Sequence, residues 1–251
     1  PCLNHISHSV KSKIEPSGNV KDDATPELAN LRLQVRESYE RTKDALDKVI
    51  ESHDQEGIFQ DKVISVRNNR LVIQVKSNMR NKITGVVHDA SNSGETLYME
   101  PVTIIGLCNT WKEFSLEEER ETTSTHCRLL RDRIIAAIPE LVPGTLLNGH
   151  PIKRLENNVN VCFPGLEAEP VLLGLDLKGV FASSGSACST ASLEPSHVLT
   201  AIGRPADIAR GSLRVTVGRE TTEEDVDYFL ETVQSVVQRL RELPSFRPRR
   251  G

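Results

Sequence analysis

The chain has 251 residues, 37% of them hydrophobic and 26% charged, with a formal net charge of −4. These values suit one large or two modest globular domains and exclude a low-complexity or disordered class. No apolar run reaches membrane length and no basic-then-apolar leader opens the chain, so a soluble, unexported protein with two domains is expected.

The first residue is Pro1 rather than Met, which reads as a processed chain or a fragment of a longer reading frame. Five cysteines, Cys2, Cys108, Cys127, Cys162 and Cys188, are scattered without a C-x-x-C pair. That pattern fits reduced thiols in the cytoplasm or an organelle interior better than a disulfide framework. Cys2, His5 and His8 have metal-like spacing, but a fraying terminus without a fourth ligand argues against a metal, and none is expected.

Thr25-Pro26 supplies an N-cap and a first-turn proline. Leu28, Leu31, Val35, Thr42, Leu46 and Val49 then recur at helical spacing, broken by Ser38 and Tyr39. The narrow seam predicts a long helix packed on a second helix in coiled-coil fashion. "HDQEG", residues 53–57, ends it. "KVISVRNNRLVIQVK" is two β-branched runs around Asn68-Asn69, which predicts a tight hairpin. "NSGETLYMEP" makes another turn and strand, and from Val102 a second helix carries Ile105, Cys108, Trp111 and Leu116 to an acidic end.

Charge is unevenly placed. Up to Glu121 there are 16 Lys+Arg against 20 Asp+Glu, and beyond it 15 against 15. Residues 61–82 nevertheless hold six cations, Lys62, Arg67, Arg70, Lys76, Arg80 and Lys82, against the single anion Asp61. Such a basic hairpin either meets DNA phosphates or is solvated edge protection.

"GNVKDDATPELANLRLQVRE", "VRNNRLVIQVKSNMRNKITGVVHDASNSGETLYMEP" and the acidic helix after them resemble the central, non-ATPase part of the second type of MutS protein, over residues 14–121. The resemblance implies a lever and core joining a DNA-facing end to an ATPase dimer. No G-x-x-x-x-G-K-[ST] occurs in the chain, so no ATP site is expected.

In the second half, "ETTSTHC" (residues 121–127) breaks the helical pattern with β-branched residues, and "RLLRDRIIAAIPEL" resumes it. A strand is predicted over residues 144–147, another at "VNVCF", and a helix over residues 171–177 with Pro170 in its first turn. A short strand near Val180, the cysteine stretch and a strand "SLRVTV" follow. Thr221 with Glu224 makes a capping box for a last helix with Val226, Phe229, Leu230, Val233, Val237 and Leu240 on one face. Alternation of this kind predicts a small α/β layer domain.

"NGHP", "RLENNVNVCF", "SSGSACSTASLEPSHVL" and "GSLRVTVGRETTEEDVD" closely resemble the C-terminal small domain of NifS/IscS-type group I cysteine desulfurases, over residues 127–243. The expected fold class is therefore multidomain. Long N-terminal helices with a small β-hairpin region, MutS-core-like, precede the C-terminal α/β small domain of a fold-type-I pyridoxal-phosphate-dependent transferase. The domains divide as residues 1–121, 122–245 and a disordered tail at 246–251.

By position in those motifs, Cys188 matches the persulfide-forming nucleophile and Arg214 the arginine that binds the substrate carboxylate. The chemistry suits them. Small residues at 183–187 leave a thiolate free to swing, and a planar guanidinium fork grips a carboxylate bidentately. The resemblance implies pyridoxal phosphate as cofactor, L-cysteine as substrate, a sulfur-acceptor protein, and a homodimer or separate large domain as partner. The family's cofactor lysine lies in a Ser-x-His-Lys stretch, and no His-Lys dipeptide occurs here. Lys178, the only lysine near the cysteine motif, matches no cofactor-binding position.

A partial cysteine desulfurase, inactive alone, is the expected function. The alternatives are a MutS-like DNA-binding segment without its ATPase, or a non-functional fusion. Two partial proteins meeting near residues 122–127, through a fused or wrongly spliced gene model, would leave apolar surface uncovered.

Overall fold

A computed structural model describes residues 12–15, 18–184 and 196–243. The chain separates into two compact units, Thr25–Thr122 and a second that runs from Thr123 onward together with the described residues before Thr25. Among the described residues no helix is long and apolar enough to cross a membrane. Cys2, His5, His8 and the tail at 246–251 lie outside the described residues.

In the first unit, helix α1 (Pro26–Ser52) begins where Thr25 accepts a hydrogen bond from the Leu28 amide at 3.1 Å. Ser38 and Thr42 do not interrupt its seam. Both are buried, and their hydroxyls donate back to the Gln34 and Ser38 carbonyls at 2.7 Å, so each polar atom is satisfied inside the helix. The expected second helix is the start of α2 (Ile105–Leu141). The Tyr39 ring meets Trp111 edge-on at 5.8 Å, and Arg32 Nε donates to Glu118 at 2.9 Å.

Strands β1 (Phe59–Arg67), β2 (Arg70–Lys76), β3 (Gly85–Ala90) and β4 (Thr96–Pro101) form an antiparallel sheet in the order β1-β2-β4-β3. Asn68 and Asn69 turn the first hairpin with φ of 51° and 56°, the left-handed pair that a two-residue turn demands. At Gly85 a Cβ would stand 2.6 Å from the Glu100 carbonyl, so only glycine permits β3 to lie this close to β4. Leu46, Ile50, Leu71, Ile73, Met99 and Ile104 make the core between sheet and helices.

Helix α2 does not break at residues 121–127. It is continuous from Ile105 to Leu141, with the boundary between the two units falling at Thr122. A β-branched residue costs a helix only about 0.5 kcal/mol. Burial of Cys127, Leu130 and Ile134 in the second core outweighs that several-fold.

The second unit holds a three-stranded antiparallel sheet, β5 (Leu146–Leu147), β6 (Asn158–Cys162) and β7 (Ser212–Thr216), in that order. Val159, Val161, Leu213 and Val215 point from one face into a core shared with α2, α3 (Ala168–Asp176) and α6 (Glu223–Glu242). Short helices α4 (His197–Ala201) and α5 (Ala206–Ala209) cover part of the opposite face, where Cys162 packs against Leu199 and Ala209. The strand expected near Val180 is a single bridge at Ser183.

The capping box lies one residue later than predicted. Thr222 caps α6 with Asp225, and Thr221 instead accepts from the Gly218 amide at 2.9 Å. Thr222 Oγ1 accepts from the Asp225 amide at 3.1 Å, and Asp225 Oδ2 from the Thr222 amide at 2.9 Å.

Candidate functional site

Alternation along β6 and β7 sends Asn158, Asn160 and Cys162, with Ser212, Arg214 and Thr216, to the face away from the main core. Asn160 and Arg214 are register partners. On the other side of β7, Ser183 bridges antiparallel to Arg214: the Ser183 amide donates to the Arg214 carbonyl at 3.1 Å and the Arg214 amide to the Ser183 carbonyl at 2.6 Å. Arg214 Nε also donates to Ser183 Oγ at 3.0 Å. Asn160, Arg214 and Ser183 thus form a polar row across the sheet.

A second cluster adjoins this row at Asn148, which is 2% exposed. Its Nδ2 donates to Asn160 Oδ1 at 2.6 Å and to Cys162 Sγ at 3.0 Å. Arg204 Nε donates to Asn148 Oδ1 at 2.6 Å, and Arg154 Nη2 to the Asn148 carbonyl at 3.1 Å. Arg154 Nε and Nη1 are buried with no hydrogen-bond partner among the described residues. Burial and the nearby Arg131 guanidinium push the Arg154 pKa down. Sequence reasoning missed Asn148, Asn160, Arg154 and Arg204, although "NGHP" and "RLENN" were quoted, because their convergence depends on strand pairing.

Cys188 lies outside the described residues. The three described cysteines are poor nucleophiles. Burial, reinforced by Glu100, pushes the Cys108 thiol up to about 12. Burial likewise raises Cys127, and raises Cys162 against a partial offset from the Asn148 amide and Arg204. At neutral pH these thiols stay protonated, and attack on sulfur requires the thiolate.

Of the six basic hairpin residues, four are already engaged. Lys62 pairs with Asp54, and Lys76 Nζ donates to the Gly57 carbonyl at 2.9 Å. Arg67 lies 3.5 Å from Asp89 and stacks over the Tyr98 ring at 4.3 Å. Arg70 Nη1 reaches Glu100 at 3.2 Å and Asn109 at 2.7 Å. Glu100, 2% exposed, also meets His88 Nε2 at 2.6 Å. Arg80 and Lys82 sit on the exposed 3-10 turn Ser77–Lys82. The cations are therefore dispersed among local carboxylates and carbonyls rather than gathered on one open face. Among the described residues no group of three or more His, Cys, Asp or Glu side chains is placed to hold a metal ion.

The aminotransferase class-V family profile matches residues 99–229, just over half of the chain, and the chain belongs to that family. The resemblance narrows further. The chain is 49% identical over 146 residues to Cysteine desulfurase IscS of Methanosarcina thermophila, covering 58% of this chain and 35% of that protein. It is 51% identical over 116 residues to Cysteine desulfurase IscS 1 of Archaeoglobus fulgidus, covering 46% and 30%. A solved NifS-like protein from Rickettsia africae matches at 17% identity with a TM-score of 0.42, over 58% of this chain and 44% of its own. The chain spans about a third of the length of the curated relatives it matches.

The pyridoxal phosphate that the family resemblance implies needs a lysine whose amine reaches a protected site. Besides Lys13 and Lys21, half-buried in the segment before Thr25, the second unit has two described lysines, Lys153 and Lys178. Both are exposed. The Lys153 amide donates to His150 Nδ1 at 2.9 Å in a surface turn, and the Lys178 carbonyl accepts from Tyr228 at 2.8 Å beyond the end of α3. Lys153 and Lys178 do not fit a lysine-anchored cofactor.

Proposed function

We propose that this chain is the sulfur-accepting part of a cysteine desulfurase. Cys188 is the nucleophile that becomes the persulfide, and Arg214 holds the carboxylate of the amino-acid donor, L-cysteine. A large domain from another chain supplies the cofactor chemistry that Lys153 and Lys178 do not fit, and a sulfur-acceptor protein in a reducing compartment takes the product. The observation that carries this reading is the pairing of Ser183 with Arg214 through two backbone hydrogen bonds and one side-chain bond. Four residues lie between Ser183 and Cys188, so five Cα–Cα steps limit the two Cα atoms to about 18 Å on any path. A carboxylate on Arg214 and a thiolate at Cys188 are consequently tethered to one another.

The sulfur-accepting step can be tested apart from the cofactor with glutathione persulfide. Cys188 thiolate attacks the outer sulfur, the donor S–S bond breaks, glutathione leaves as its thiolate, and Cys188 becomes a persulfide. Persulfide labelling followed by peptide mass spectrometry is expected to mark Cys188 and to vanish in Cys188→Ser. Label distributed over Cys108, Cys127 and Cys162 in the folded chain would contradict the assignment.

For residues 14–121 a second reading is the MutS-like lever segment, fused to the desulfurase-like part near residues 122–127, against which stands the class-V profile's start at residue 99. Any DNA contact would then fall to Arg80 and Lys82, because the other four cations are engaged locally. Salt-dependent binding to branched DNA, lost in the Arg80→Glu, Lys82→Glu double variant, supports it. Binding that ignores both salt and the double variant removes it. One transcript read across codons 115–130 tests whether the fusion is expressed.

A further inference from the structure

A carboxylate-binding arginine must hold its guanidinium plane still, because a free arginine side chain carries about 2 kcal/mol of rotamer entropy that binding would otherwise have to overcome. On β7 the strand neighbours supply that restraint. Asn160 flanks Arg214 on one side, itself held by the Asn148 amide at 2.6 Å. Ser183 flanks it on the other, and its two backbone bonds to Arg214 put both side chains on the same face of the sheet. Ser183 Oγ can therefore accept from Arg214 Nε at 3.0 Å without leaving its backbone position.

We propose that Ser183 is a positioning residue for carboxylate recognition. Its hydroxyl fixes the Nε corner of Arg214, so that the guanidinium meets the carboxylate of an amino acid across Nη1 and Nη2. The inference rests on the reading of Arg214 as the carboxylate binder. It does not require an unoccupied guanidinium: Nη1 and Nη2 together carry four N–H bonds, and a bidentate carboxylate uses two. The backbone bridge alone cannot supply this restraint, since it leaves the four side-chain torsions of Arg214 unset. A hydroxyl at residue 183 is the chemical requirement, met by serine or threonine and not by alanine.

The test is side-chain arginine NMR on the full chain, with L-alanine as the probe and L-alaninamide, which lacks the carboxylate, as control. In the wild-type chain, Arg214 Nε–Hε is expected to exchange with solvent more slowly than that of Arg219, whose side chain is 67% exposed. L-alanine is expected to shift the Arg214 resonance saturably, and L-alaninamide is not. Ser183→Ala should weaken L-alanine binding about five-fold, the loss of one charge-assisted hydrogen bond discounted for a half-buried site, and Ser183→Thr should restore it. Backbone amides of β6 and β7 should keep their positions in both variants, separating positioning from folding.

Arg214 Hε exchange as fast as that of Arg219 would overturn the proposal without any variant being needed. Wild-type-like L-alanine binding by Ser183→Ala would overturn it while leaving the carboxylate role of Arg214 intact. A saturable response to neither probe in the folded wild-type chain would overturn the carboxylate role itself, and the positioning role with it.

Discussion

The two units differ in how fully they satisfy buried charge, even though Arg133 in the second is paired with both Glu223 and Asp227. In residues 25–122 the buried Glu100 is matched on both oxygens, by Arg70 and by His88, and Arg70 is matched again by Asn109. After Thr123, Arg131, Arg154 and Arg204 gather about Asn148 and the 148–155 turn, with Asp132 on Arg131 as the carboxylate that pairs directly. Two buried nitrogens of Arg154 lack hydrogen-bond partners among the described residues. The apolar surface follows the same division: Val63, at 53%, is the most exposed large apolar residue of the first unit, whereas Phe181, Leu177 and Ile152 reach 83%, 77% and 77% in the second. A region that satisfies itself reads as a finished module, and one that leaves donors and apolar side chains over reads as part of a larger surface.

Substitutions of decreasing effect sharpen that contrast. Phe163→Ala removes a fully buried ring from the second core and is expected to cost about 3–5 kcal/mol, read as faster hydrogen exchange of the β6 and β7 amides. Glu100→Gln strips the paired carboxylate from Arg70 and His88 in the first unit. Because both partners are about one-fifth exposed, the expected cost is on the order of 2 kcal/mol, below that of a fully buried pair. The single tryptophan, Trp111, packs on Tyr39 in that unit and reports it by a lowered denaturation midpoint in fluorescence.

Thr222→Ala removes the cap of α6 and is expected to cost about 1 kcal/mol. The Asp225 half of this capping box depends on pH with a definite sign. Hydrogen bonds from the Thr222 amide and side chain hold Asp225 below its ordinary pKa, so its contribution is present above the unfolded value of about 3.9 and fades as pH falls through the lower folded value. The variant keeps the backbone amide that holds Asp225, and the hydroxyl cap on the Asp225 amide does not titrate, so both chains lose the carboxylate's contribution in acid and most of the gap between them persists. Arg154→Met is the smallest change: it deletes two unpartnered buried donors along with one made bond, and should cost less than about 1 kcal/mol. A loss of 3 kcal/mol or more there would mean that the guanidinium is satisfied within the chain, and the contrast with Glu100 would collapse.

Features set by neighbouring residues were legible in the sequence. Asn68-Asn69 needed only its own φ angles to declare a hairpin, and the Thr25-Pro26 start of α1 needed only the next turn. Features set by distant packing were not. Helix α2 runs through its threonines because Cys127 and Leu130 are buried, and no local pattern carries that information. Two adjacent threonines offered equivalent caps, and the Gly218 amide claimed Thr221, leaving Thr222 for α6. The strand that carries Arg214 was readable from "SLRVTV", whereas Ser183 became visible as its hydrogen-bond partner only once β7 had formed. The basic hairpin shows the same limit: a count of cations does not reveal that Asp54, Asp89 and Glu100 fold back onto three of them.

The account depends on a division of labour in which this chain provides the sulfur acceptor and no lysine of its own anchors the cofactor. Incubating the purified chain with pyridoxal phosphate and L-cysteine, then quantifying alanine and mapping borohydride-reduced lysines, tests it directly. The predicted result is no catalytic alanine release, with any reduced adduct scattered over exposed lysines. Sustained alanine release that disappears on converting one particular lysine to arginine would contradict it.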